Sequence, residues 1–188
     1  MTAEDEILAH AIRLLDAHGI PYMIAGSIAS SFHGRPRTTL DADIVIDPAA
    51  EALERLVQEL SAAGFYVDAD AARDALRARR QFNVIDTGIA FKLDLIIRKD
   101  RPFSREEFGR QERVDLGDVP HVAMATAEDT ILSKLEWAGK GGGSERQLSD
   151  VRGILDVKGA ELDREYVERW AKDLGVLELW RDVTRAGS

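Results

Sequence analysis

Two aspartates at the start of an apolar run constrain the fold of this chain most strongly. Residues 41–46 read Asp-Ala-Asp-Ile-Val-Ile. If this run is a β-strand, the alternation of side chains puts Asp41 and Asp43 on the same face, close together. Two carboxylates held that close repel each other, and a cation between them relieves the repulsion. A hard divalent ion suits such a site, because Mg²⁺ is usually held by one or two carboxylates together with substrate phosphates.

A glycine-serine pair precedes this strand. The apolar run Tyr22–Ala25 leads into Gly26 and Ser27, and residues 28–32 are expected to form a helix that begins at this turn. The N-terminus of a helix presents unpaired backbone N–H groups and a positive dipole end, which suit a phosphate. Gly26 would allow close backbone approach, and Ser27 would add its hydroxyl. A tight strand-to-helix turn with no ligand is the alternative interpretation.

The hydrophobic spacing predicts an α/β (α+β) class, with a short mixed sheet followed by a helical C-terminal part. A domain boundary is expected between residues 123 and 124, which gives domains 1–123 and 124–188. The predicted elements, in chain order, are a helix over 2–18, strands at 20–25 and 41–46, a helix over 48–64, a strand at 65–67, a helix over 69–80, a hairpin of 81–86 with 89–98, a short helix and one or two edge strands within 102–118, and helices after residue 126.

Composition excludes several classes of function. The net charge is −9, so strong sequence-independent binding to duplex DNA is not expected. The chain has no cysteine, which excludes disulfides, thiolate metal sites and a cysteine nucleophile. The acidic N-terminus does not have the order of a signal peptide, and no apolar run is long enough to span a bilayer. We therefore expect a cytoplasmic protein without membrane contact.

Several motifs occur together in one order along the chain. They are Gly26-Ser27, then Arg37-x-Thr39-x-Asp41-x-Asp43, then a lone Asp94 on a later strand. This set resembles the nucleotidyltransferase superfamily that includes DNA polymerase β and the aminoglycoside nucleotidyltransferases.

Within that superfamily the chain looks most like the AbiEii-like group, the nucleotidyltransferase toxins of type IV toxin–antitoxin systems. Residues 128–135 match the group's helix Glu-Asp-x-Ile-x-x-Lys-Leu, and Arg146, Asp150 and Val151 match its last motif. Gln147 stands where that motif usually has its first aspartate, and Gly139–Gly143 lengthens the turn before it. The resemblance covers about residues 5–157.

The resemblance implies Mg²⁺-dependent transfer of a nucleoside monophosphate from an NTP to a hydroxyl acceptor, with Mn²⁺ as an alternative metal. It implies metal ligands Asp41, Asp43 and Asp94, where Asp94 completes a second metal site or takes the acceptor proton. It also implies a tRNA acceptor and a cognate antitoxin. The implied catalytic residues are Asp41, Asp43, Asp94, Lys134 and Asp150, and the implied nucleotide-binding residues are Gly26, Ser27, Arg37, Thr39 and Lys134.

Several alternatives remain open from the sequence. The acceptor could be a small hydroxylated molecule, as in the antibiotic-modifying branch, or the chain could be a non-catalytic module that binds a nucleotide or a partner. Asp94 could be a structural acid paired with Lys92 or Arg37. A helical row of arginines, Arg73, Arg77 and Arg80, could face an RNA backbone or could simply be solvated.

Overall fold

The computed structural model describes residues 2–141 and 144–185. The helices of this part are α1 (Ala3–Ala17), α2 (Gly26–His33), α3 (Ala50–Ala62), α4 (Ala69–Ala78), α5 (Pro102–Gly109), α6 (Ala127–Gly139), α7 (Ser144–Lys158), α8 (Arg164–Asp173) and α9 (Leu177–Arg185). Its strands are β1 (Tyr22–Ile24), β2 (Asp41–Ile46), β3 (Phe65–Val67), β4 (Gln81–Asp86), β5 (Phe91–Ile97), β6 (Glu112–Leu116) and β7 (Val119–Met124).

The chain divides into two compact units. The first contains Met1–Ala25 and Thr39–Met124, and the second contains Gly26–Thr38 and Ala125–Ser188. The boundary predicted from the sequence puts residues 26–38 in the first domain, whereas the structure groups them with the second unit. The physical reason is that α2 packs against α6 and α7.

The first unit is built on a seven-stranded sheet in the order β3-β4-β5-β2-β1-β7-β6. Strand β2 runs parallel to β5 and antiparallel to β1, and β1 runs parallel to β7. The α/β class and the mixed sheet predicted from the sequence are confirmed. Along β2 the even-numbered side chains, Ala42, Ile44 and Ile46, are fully buried, while the odd-numbered ones are partly exposed. One face of β2 therefore belongs to the core, and the other face is partly exposed to solvent.

Helices of the first unit cover the apolar face of this sheet. Helix α1 begins at a capping box formed by Thr2 and Asp5, and it packs against α3 and β7. Helix α3 buries Leu53, Leu56 and Leu60 and packs against β3, while α4 packs against β4 and β5. The 3.6-residue spacing of these leucines is what gives the helix a single apolar face.

Two boundaries in the first unit differ from the prediction. The loop before β5 is longer, because Asp86 Oδ1 accepts hydrogen bonds from the backbone N–H groups of Gly88 and Ile89 and holds residues 87–90 as a turn. Helix α3 begins at Ala50 rather than at Pro48, with Ala49 as its N-cap. Both are local differences of two residues.

The second unit is helical, as predicted for the C-terminal part. Helix α6 ends at Gly139 and α7 begins at Ser144, which agrees with the predicted glycine-rich break, although residues 142 and 143 lie outside the described part. His33 at the end of α2 is buried, with its Nε2 2.7 Å from the carbonyl oxygen of Ala125. Across residues 2–141 and 144–185 the structure contains no helix that is both long enough and apolar enough to cross a bilayer.

Two glycines bring the segment after α2 into backbone contact with α7. A Cβ atom built on Gly34 would lie 2.7 Å from the carbonyl carbon of Gly153 and 2.7 Å from the nitrogen of Ile154. Both are backbone atoms, which cannot turn aside as a side chain can. The close approach thus fixes the start of the loop that carries Arg37.

We expect Gly34→Ala to lower the free energy of unfolding by about 1–3 kcal/mol, because the added methyl group overpacks this contact. Urea unfolding followed by circular dichroism measures the change. Gly109→Ala is the matched control, since a Cβ there meets nothing within 4 Å in helix α5. That variant should be unchanged or slightly more stable. Equal stability of the two variants would contradict the role given to the Gly34–Gly153 contact.

Candidate active site

Four charged side chains lie on one face of the two central strands of the first unit. In the parallel register of β2 and β5, Asp41 is the partner of Lys92 and Asp43 is the partner of Asp94. Because paired residues of neighbouring strands point to the same face, the three carboxylates and the ammonium form a two-by-two block. The prediction that Asp41 and Asp43 share a face is confirmed by the alternating burial of β2.

Short polar contacts hold three members of this block. The hydroxyl of Thr39 donates to Asp41 Oδ1 at 2.7 Å, and Lys92 Nζ donates to Asp94 Oδ2 at 2.8 Å. Asp94 is only 6% exposed, and its Oδ1 is buried without a hydrogen-bond partner. A buried carboxylate oxygen without a donor is costly, so Asp94 offers a free ligand atom on this face.

Lys92 is the positive charge of the block. The hydrogen bond to Asp94 raises the pKa of the Lys92 ammonium, and the nearby charges of Asp94, Asp41 and Asp43 act in the same direction, while partial burial lowers it by less. Lys92 is therefore protonated at neutral pH. Its ammonium interacts with all three aspartates, although its hydrogen bond is with Asp94.

The second unit contains a polar network centred on Asp150. Arg37 donates from Nε to Asp150 Oδ1 at 2.8 Å and from Nη2 to Oδ2 at 3.0 Å, which is a bidentate pair. Lys134 Nζ donates to the same Oδ2 at 2.7 Å, and Arg37 also donates to the hydroxyl of Ser27. The side chains of Lys134 and Asp150 are only 6% and 7% exposed. Residues from α2, α6, α7 and the loop after α2 are thus held as one cluster.

This cluster keeps Asp150 ionised. Burial raises the pKa of the Asp150 carboxyl, but the hydrogen bonds and positive charges of Arg37 and Lys134 outweigh burial and leave the pKa below its ordinary value. The carboxylate in turn holds two cationic side chains in fixed positions. Two positive charges held in this way suit an anion.

Helix α2 begins at Gly26, two residues before the helix expected from the sequence. Gly26 has φ +60°, in the left-handed region that favours glycine, and it is the first residue of α2. Ser27 is buried and its carbonyl oxygen accepts a hydrogen bond from the hydroxyl of Ser30. The N-terminal turn of α2 therefore begins with a residue that has no side chain to shield its backbone N–H groups.

Comparison of structures places this chain among known folds, although no family model and no curated protein sequence matches it. An antigenic nucleotidyltransferase-like protein from Paracoccidioides brasiliensis superposes with a TM-score of 0.59 at 16% identity, covering 97% of this chain and 91% of that one. ANT(2")-Ia in complex with adenylyl-2"-tobramycin also gives 0.59 at 16% identity, covering 92% and 97%. The solution structure of the antibiotic-resistance factor ANT(2'')-Ia gives 0.53 at 17%, covering 97% and 95%.

This chain has the nucleotidyltransferase fold. At such low identity the likeness concerns the architecture, and the AbiEii-like group predicted from the motifs is not among these neighbours.

The carboxylates of the block on β2 and β5 are suitable ligands for a hard divalent cation. The three possible metal ligands of the block are carboxylates, which Mg²⁺ prefers. Asp94 Oδ1 is buried without a hydrogen-bond partner. Within residues 2–141 and 144–185, however, no three acidic or histidine side chains are arranged as a ready metal site. One oxygen of Asp41 already accepts a hydrogen bond from Thr39, and one oxygen of Asp94 accepts a hydrogen bond from Lys92.

The structure distributes the predicted site residues over both units. Asp41, Asp43, Asp94 and Thr39 belong to the first unit, and Gly26, Ser27, Arg37, Lys134 and Asp150 belong to the second. Within each unit the predicted residues lie close together. Arg37, which was one of two candidate partners of Asp94, is paired with Asp150 instead, and the other candidate, Lys92, is the partner found.

Gln147, the departure from the motif, lies one turn before Asp150 on α7. Its side-chain Oε1 is buried and has no hydrogen-bond partner in the structure. Sequence reasoning gave Lys92 no role in a site, because its position opposite Asp41 depends on the register of two strands far apart in sequence. The available signal was the Lys92-x-Asp94 spacing, which places both side chains on one face.

The row of arginines on and after α4 is largely neutralised by acids. Arg73 forms ion pairs with Glu54 and Asp70, and Arg77 forms one with Asp74. These partners, exposed like the arginines, leave little net positive charge for a phosphate backbone.

A cavity of about 280 Å³ in the first unit lies away from the block. It is lined by residues that include Asp16, Tyr22, Gln111 and Arg113, and by none of the predicted site residues.

Proposed function

We propose that this protein is a metal-dependent nucleotidyltransferase that moves a nucleoside monophosphate from an NTP to a hydroxyl group. The observation that carries the proposal is Asp94, a buried carboxylate with one oxygen lacking a donor, beside Asp43 on the neighbouring strand of a nucleotidyltransferase fold. A protein keeps such an arrangement against its electrostatic cost where a cation or a proton is handled.

Asp41, Asp43 and Asp94 would hold Mg²⁺, with Mn²⁺ as a substitute. The bound ion would neutralise the triphosphate charge as the α-phosphorus is attacked. In the transfer, the acceptor oxygen forms a bond to the α-phosphorus, and the bond from that phosphorus to the bridging oxygen of the β-phosphate breaks. Pyrophosphate leaves with the electron pair, and the carboxylate of Asp94 is the group proposed to take the acceptor proton.

Residues of the second unit are proposed to bind the triphosphate. Ser27 would offer its hydroxyl, and the first turn of α2 would offer backbone N–H groups. Arg37 and Lys134 would offer positive charge. Asp150 would then act by positioning these two cations, since it accepts hydrogen bonds from both. Thr39 would support the metal ligands by holding Asp41 through its hydroxyl.

A small hydroxylated molecule is the acceptor that the charge distribution favours. The net charge is −9, and Arg73 and Arg77, two of the three arginines that could face a nucleic acid, are paired with acids. One structural neighbour, ANT(2")-Ia, is described with an adenylylated antibiotic.

A tRNA acceptor is the second candidate, with the cognate antitoxin and cytoplasmic location of the AbiEii-like toxins. It is favoured by one observation: Lys134 and Asp150, which carry the resemblance to that group, are in contact at 2.7 Å.

Transfer of labelled nucleotide tests the proposal. The four NTPs, each labelled at the α-phosphate, are incubated with Mg²⁺ and either a panel of aminoglycosides or total tRNA. Label should move to an aminoglycoside, and movement to tRNA would support the second candidate instead. Calorimetric titration of the same NTPs with and without Mg²⁺ is run in parallel. Binding without transfer to any acceptor would favour a non-catalytic module, and no binding at all would reject the proposed function.

A further inference from the structure

Lys92 lies beside two of the three aspartates. The Nζ atom of Lys92 lies 2.8 Å from Asp94 Oδ2. In the parallel register of β2 and β5, Lys92 is the partner of Asp41. The ammonium side chain is 37% exposed, whereas the Asp94 side chain is 8% exposed. A long, flexible side chain that is partly in solvent can move away, while the buried carboxylate it contacts cannot follow.

Lys92 offsets part of the negative charge of the block. Three carboxylates on adjacent positions of two strands repel one another, and one ammonium offsets part of that repulsion. A divalent cation would bind the same carboxylates, and it would be repelled by the ammonium held 2.8 Å from Asp94 Oδ2. The lysine and the metal are therefore competitors for one set of ligands.

Resting on the proposed function, we propose that Lys92 is a resident counter-ion of Asp41, Asp43 and Asp94 that a divalent cation displaces on binding, so that Lys92 sets the affinity of the site for metal. In the free protein the lysine stabilises the acidic block. On metal binding it releases Asp94 Oδ2, and the carboxylate becomes available to the metal or to the acceptor hydroxyl. Lys92 acts here as a positioning residue, since it works through Asp94.

Titration with Mn²⁺ followed by electron paramagnetic resonance tests the inference without any nucleotide or acceptor. Lys92→Met removes the charge but keeps the length and apolar stem of the side chain. We expect this variant to bind Mn²⁺ at least about tenfold more tightly than the wild type, since a charged hydrogen bond no longer competes. Lys92→Arg keeps a positive charge and should bind Mn²⁺ with close to wild-type affinity.

Thermal unfolding gives a second readout. Without metal, Lys92→Met should melt at a lower temperature than the wild type, because the repulsion among the aspartates is no longer offset, and saturating Mn²⁺ should raise its melting temperature by more than it raises that of the wild type. Lys140→Met is the matched control, because Lys140 forms an ion pair of similar length, 2.7 Å to Glu136, that involves none of the three aspartates. That variant should bind Mn²⁺ as the wild type does.

The outcomes separate this inference from the proposed function. Mn²⁺ binding by the wild type that Asp43→Asn removes, combined with unchanged affinity in Lys92→Met, overturns the role of Lys92 and leaves the proposed function standing. Binding that appears only in Lys92→Met supports the role of Lys92. Absence of Mn²⁺ binding in both proteins rejects the metal site and the inference together.

Discussion

Replacing Asp43 with asparagine is expected to lower kcat/KM for nucleotide transfer by about 10³-fold or more. The substitution keeps the size of the side chain but removes one proposed metal-binding carboxylate, and the stabilisation that a metal ion gives to a phosphoryl transition state amounts to several kcal/mol. Strand β2 should still form, because its backbone pairing with β1 and β5 does not involve this side chain. The loss should therefore appear in the rate of transfer, with circular dichroism unchanged.

The control for Asp43→Asn is a charge removed elsewhere in the first unit. Asp16 is exposed on α1, and Asp16→Asn changes the net charge by the same amount. Transfer assays with labelled NTP at saturating Mg²⁺ should show wild-type rates for this control. If Asp43→Asn keeps more than a tenth of the wild-type rate, Asp43 is not a ligand of an essential metal ion.

The second large effect concerns stability. Asp150→Asn is expected to reduce the free energy of unfolding at pH 7 by about 3–5 kcal/mol, because it removes a buried carboxylate on which Arg37 and Lys134 converge. Denaturation in urea, followed by tryptophan fluorescence, measures the change. The double variant Asp150→Asn with Lys134→Met should recover part of the loss, since it also removes a buried positive charge. Asp182→Asn is the control, because the Asp182–Arg185 pair is well exposed and should contribute less than about 1 kcal/mol.

The same pair of proteins has an expected pH dependence. The folded-state pKa of Asp150 lies below its ordinary value, so the charged carboxylate stabilises the fold above the unfolded-state pKa of about 3.9 and loses this effect as the pH falls through the folded-state pKa. The stability difference between wild type and Asp150→Asn should be constant from about pH 5 to 7 and should narrow below about pH 4. A difference that instead grows on acidification would contradict the assignment of the ion cluster.

Much of the fold follows from local patterns. The alternation in residues 41–46 predicted β2 and its two faces, and the apolar spacing in residues 53–60 predicted α3. The period of the apolar residues, two in a strand and 3.6 in a helix, decides between the two structures. Helices α1 and α6 begin at the capping residues Thr2 and Thr126, whose hydrogen bonds are made within three residues.

Other features depended on contacts that no local pattern contains. The assignment of residues 26–38 to the second unit results from the packing of α2 on α6 and α7, more than 90 residues away in sequence. The choice between Arg37 and Lys92 as the partner of Asp94 was also open from the sequence. It was decided by where the loop after α2 docks, which brings Arg37 to Asp150.

The sequence by itself determined the class of fold and which carboxylates share a face, because both depend on side-chain periodicity along single strands and helices. Only the tertiary structure decided that Lys92 stands among those carboxylates and that Asp150 gathers Ser27, Arg37 and Lys134 into one network. The physical reason is that strand register and helix packing depend on burial of the whole core. The contacts that bury it join segments far apart in sequence, so no local pattern predicts them.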